Sequence, residues 1–144
     1  MEDKLIVDGL RFETLHEGQI AWYQASTISD YVLSEWSKHL IQVLEDWPTE
    51  RRLRLLYDLS SPGASLTYLV LSNRDVLHIG VDIKSRQFAE RKLKDGIEQT
   101  PRLALLVSNA LSGQVANKHY RAPITLKIDA QTFFDRQAAL DWLM

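Results

Sequence analysis

"RLRLLYDL" (residues 52–59) is dense in leucine and keeps its polar residues near its two ends. Turn chemistry follows at once in Ser60-Ser61-Pro62-Gly63. A short apolar run bounded in this way suits a strand buried on both faces, as in sheets covered by helices. "RLALLV" (102–107) has the same character and predicts a second internal strand. Both runs are flanked by helical patterns. In "TISDYVLSEWSKHLIQVLEDWP" (27–48), Val32, Leu33, Trp36, Leu40, Val43, Leu44 and Trp47 recur at helical spacing. Thr27 or Ser29 can cap that helix, and Pro48 stops it.

Outward from this centre, residues 3–7 and 10–16 read as extended, joined by a turn at Asp8-Gly9. Glu17-Gly18 then separates "RFETLH" from "QIAWYQA", which predicts a hairpin. After the leucine-rich strand, a helix is expected from about Leu66, aligning Leu69, Asn73, Val76, Leu77 and Gly80. "SRQFAERKLKDGIEQ" (85–99) predicts a further helix that buries Ala89, Leu93 and Ile97. "NALSGQVANKHY" (109–120) reads as a shorter helix capped by Asn109, and "ITLKIDAQTFF" (124–134) as a half-exposed strand. Asp135 caps a last helix that docks through Ala139, Trp142 and Leu143. The expected architecture is α/β, one domain over 1–144, with a mixed sheet, an N-terminal hairpin and packed helices.

Composition narrows the function classes. A length of 144 residues, 45% hydrophobic and 25% charged, suits a folded domain rather than a disordered chain. A net charge of −2 supplies no field that would draw in nucleic acid. The absence of cysteine removes disulfides and thiolate chemistry and fits a cytoplasmic location. Neither a signal peptide nor an apolar run of about 20 residues is legible, so no integral membrane segment is expected.

Motifs for catalysis are missing. The six glycines form neither a P-loop nor a G-x-G-x-x-G turn. His16, His39, His78 and His119 are scattered without ligand spacing, so no metal or other cofactor is expected. A hydrolase needs an activated serine. Ser60 and Ser61 follow a strand, but G-x-S-x-G is absent, and a trio of Asp58, Ser60 and His78 is of a kind any such fold offers. The chain is read as a non-enzyme. Arg51, Arg52 and Arg54 at the strand start, the mixed charges of 82–98, and Lys118, His119 and Arg121 read as solvated or dipole-facing groups without a ligand.

The order of three motifs carries a resemblance. "LLYDLS" (55–60), "RLALLV" and "FFDRQAALDWL" (133–143), behind an N-terminal hairpin and an amphipathic helix, resemble the STAS domain. The closer likeness is to its SpoIIAA-like branch of small bacterial proteins related to anti-sigma-factor antagonists. The resemblance implies a regulatory, protein-binding module whose surface is the loop and helix after the strand. Asp58, Ser60, Ser61, Ser65 and Thr67 would form that surface, for a protein partner or a second copy of the chain. In regulatory members, a serine or threonine at the next helix N-terminus is phosphorylated, and Ser65 and Thr67 stand in roughly that place. "SPGASLTYL" (61–69) replaces the usual Asp-Ser-Ser-Gly-Leu, however. The same branch is compared with lipid-binding CRAL-TRIO domains. That implies an alternative, a carrier of a small apolar ligand with a pocket at Tyr68, Leu69, Val76 and Leu77.

Overall fold

The computed structural model describes residues 4–61, 81–108 and 128–144. The helix expected from about Leu66, that expected over 109–120, and positions 124–127 lie outside the described residues. So do Ser65, Thr67, Tyr68, Leu69, Val76 and Leu77.

Among the described residues, six strands build one mixed sheet in sequence order. Strands β1 (Lys4–Val7), β2 (Leu10–Leu15) and β3 (Ile20–Ala25) pair antiparallel. From β3 onwards the pairing is parallel, through β4 (Arg54–Leu59), β5 (Arg102–Val107) and β6 (Asp129–Phe133). The expected hairpin and both leucine-rich internal strands are therefore present. Gly9 turns β1 into β2 with φ +95°, and a Cβ there would collide with Thr27 Oγ1. Glycine is required at that corner on both counts.

Three helices are described: α1 (Asp30–Asp46), α2 (Ile83–Asp95) and α3 (Arg136–Leu143). Ser29, rather than Thr27, caps α1 by accepting from the Val32 amide at 3.2 Å. Asp135 caps α3 as expected, accepting from the Ala138 amide. Helix α2 differs from its expected span of 85–99. It begins at Ile83 because the Asp82 carboxylate accepts from the Ser85 amide at 2.7 Å, and it stops before Gly96. Ile97 is buried all the same, just beyond the helix.

Alternation along the strands divides the core. Leu55, Tyr57 and Leu59 of β4, with Leu103, Leu105 and Val107 of β5, turn towards α1 and α2. Leu56, Ala104 and Leu106 turn the other way, towards Ala139 and Leu143 of α3. Right-handed crossovers between parallel strands that advance in one direction leave successive helices on one face, where α1 and α2 lie together. Phe12, Tyr23, Trp36 and Tyr57 form a tilted and edge-on aromatic cluster beneath α1. Trp36 is fully buried, Trp47 nearly so, and Trp142 lies half-buried on the α3 side. No helix among the described residues is long and apolar enough to cross a membrane.

Candidate functional site

The parallel strands β3 and β4 place Gln24 beside Asp58, and β5 places Leu106 on its other side. Strand alternation aims Asp58 to the α3 face, where it is 5% exposed. Its burial is matched by hydrogen bonds from its own loop. Oδ1 accepts from the Ser60 amide at 3.1 Å and from the Ser60 hydroxyl at 2.6 Å. A carboxylate that accepts from the backbone two residues on closes a tight turn, so the chain bends away as soon as β4 ends. Ser60 itself is exposed and Ser61 half-exposed. Asp58, Ser60 and Ser61 are thus brought together at the carboxyl end of a parallel strand, the place where open α/β sheets bind ligands.

The same geometry bears on catalysis. The Ser60 hydroxyl donates to a carboxylate, and a triad of the Ser-His-Asp kind would need a histidine in reach as its base. His39, on α1, lies across the sheet from Asp58, where its Nδ1 meets the Tyr23 hydroxyl at 2.7 Å. His78 lies outside the described residues. Burial pushes the Tyr23 phenol well above its ordinary value, with Tyr57 adding to the shift.

Two features were not legible as site elements. Tyr31 is 63% exposed in the first turn of α1, which follows the strand that pairs with β4. An aromatic side chain two positions after the cap was readable only as part of the helix. The second feature is an open groove of about 470 Å³ between β1, α1 and the start of α2, lined among others by Ile6, Glu35, His39, Glu45, Val81 and Asp82. Its three sources are far apart in sequence, so no local pattern announces it. Its charged lining does not suit an apolar ligand. The Ser85 amide, followed by the Ser85 hydroxyl, holds the Asp82 carboxyl below its ordinary range.

The chain matches no protein-family model, no curated protein and no solved structure. The functional reading therefore stands on these residues. Among the described residues no group of three or more histidines and carboxylates is placed to hold a metal ion.

Proposed function

We propose that the chain is a non-enzymatic, protein-binding regulatory module related to the STAS domain and its SpoIIAA-like branch. The partner would dock on the turn after β4 and the segment that follows. The Asp58–Ser60 turn carries this reading. It consumes the only carboxylate of β4 in fixing the loop, and it leaves Ser60 exposed and Ser61 half-exposed at the end of a central strand. The exposed Tyr31 ring, at the same end of the sheet, adds the aromatic contact that protein interfaces favour. The element order of hairpin, helix and parallel strands is compatible with the resemblance. A bacterial cytoplasm is the setting the resemblance implies. No observation among the described residues favours the apolar-ligand carrier.

The test uses Ser60→Arg, which places a long cation on the exposed side of the turn while keeping the backbone amide that Asp58 binds. A photo-crosslinking side chain at Ser61 should trap a protein partner in the source cells. Ser60→Arg forfeits the hydroxyl bond to Asp58. It should abolish that adduct while the chain still unfolds cooperatively, its melting temperature lowered by no more than Asp58→Ala lowers it. An adduct that persists in Ser60→Arg, or is absent from the unmodified background, would contradict the proposal.

A further inference from the structure

Four arginines meet at the opposite end of the sheet, where the parallel strands begin. Arg54 Nε donates to the Leu143 carbonyl at 2.8 Å, and Arg102 Nη1 donates to the Trp142 carbonyl at 2.9 Å. These bonds cap the C-terminus of α3, whose own last turn has no basic residue. Arg54 also reaches the Arg52 carbonyl, and Arg51 holds the Gly18 carbonyl in the turn between β2 and β3. Helix capping and turn bracing explain part of the cluster.

They do not explain all of it. A helix C-terminus offers roughly half a negative charge, whereas four guanidinium groups bring four positive ones. Among the described residues no carboxylate forms an ion pair with any of them. Asp129 lies opposite Arg102 in the β5–β6 register but makes no such pair. The Arg52 Nε is buried without a hydrogen-bond acceptor, although a buried charged donor is ordinarily matched. After burial, the charges that lower the Arg54 pKa are those of Arg52, Arg102 and Arg51, so the groups repel one another. Arg51 is exposed and the other three are half-exposed, so solutes can reach the cluster.

We propose that Arg51, Arg52, Arg54 and Arg102 form a binding site for a phosphate-type oxyanion, which meets the parts of their guanidinium groups that are open to solvent. A tetrahedral dianion offers several acceptors to forked guanidinium donors and offsets their mutual repulsion. The phosphate could be carried by a soluble ester or by a lipid headgroup, and the experiment separates the two. The site is independent of the turn after β4.

Inorganic phosphate is titrated into the full chain against sodium chloride of equal ionic strength, with the arginine guanidinium N–H signals followed by NMR. A saturating shift is expected at Arg52, with smaller shifts at Arg54 and Arg102. Arg52→Gln should weaken binding by at least about tenfold, roughly 1.4 kcal/mol. Arg51→Gln, whose side chain braces only an exposed turn, should weaken it severalfold and serves if Arg52→Gln does not fold. Shifts that chloride reproduces, or equal affinity in the folded variants, would overturn the site. Sedimentation with phosphatidylcholine vesicles containing phosphatidic acid, reversed by free phosphate, would assign the phosphate to a lipid headgroup. Saturable phosphate binding without sedimentation would assign it to a soluble ester. Sedimentation that Arg52→Gln leaves unchanged would count against the site.

Discussion

Leu55, Tyr57 and Leu59 turn one face of β4 into the core beneath α1 and α2, while Arg54, Leu56 and Asp58 turn the other towards α3. The first face is wholly apolar and aromatic. The second places an ionisable residue at each end of a single buried leucine. One strand thus serves packing on one side and polar chemistry on the other. The difference shows why a run that reads as uniform leucine is not uniform in role. A period of two sorts its few polar residues onto one face.

The comparison predicts unequal damage. Trp36→Ala, on the two-helix face, empties the centre of the aromatic cluster and should cost about 3–5 kcal/mol in urea unfolding. Loss of under half that amount would mean that this face does not anchor the fold. Arg54→Ala, on the other face, should cost less, about 1–3 kcal/mol, because it leaves the Leu143 carbonyl without its donor. Hydrogen exchange should then rise across α3 and not across α1. Equal loss of protection in both helices would erase the distinction between the faces.

A smaller effect appears with pH. The buried Tyr23 phenol has its folded-state pKa raised, so the folded chain holds that proton where the unfolded chain releases it. Its contribution is complete below the unfolded value near 10 and is lost as pH rises above it. Stability should fall by up to about 1.4 kcal/mol per pH unit in that window. Tyr23→Phe should flatten the fall, and an unchanged slope would assign it to other groups. Smallest of all, Asp58→Ala should cost about 1 kcal/mol by removing the acceptor that closes the turn.

The sequence was most informative where local physics decides the outcome. The α1 pattern from Val32 to Trp47, the Asp135 cap and the two leucine-rich strands need only periodicity and turn chemistry, and each lies where expected. Helix α2 starts two residues before its expected span of 85–99 and ends four residues short of it. The Asp82 cap sets its start, although Ile83 there is exposed and outside the buried stripe. The turn at Asp58 was legible, since its acceptor and donors are two residues apart. The arginine cluster was not. Arg51, Arg52 and Arg54 read as solvated charges at a strand start. What alters them is Arg102 and the carbonyls of Trp142 and Leu143, brought there only by β5 pairing and α3 docking.

The central claim is that the turn after β4 is a partner-binding surface, and native mass spectrometry of the chain purified from its own cells tests it most directly. The wild-type chain should carry a protein partner at defined stoichiometry, and Ser60→Arg, still unfolding cooperatively, should fly without it. The same partner mass on both proteins would contradict the account.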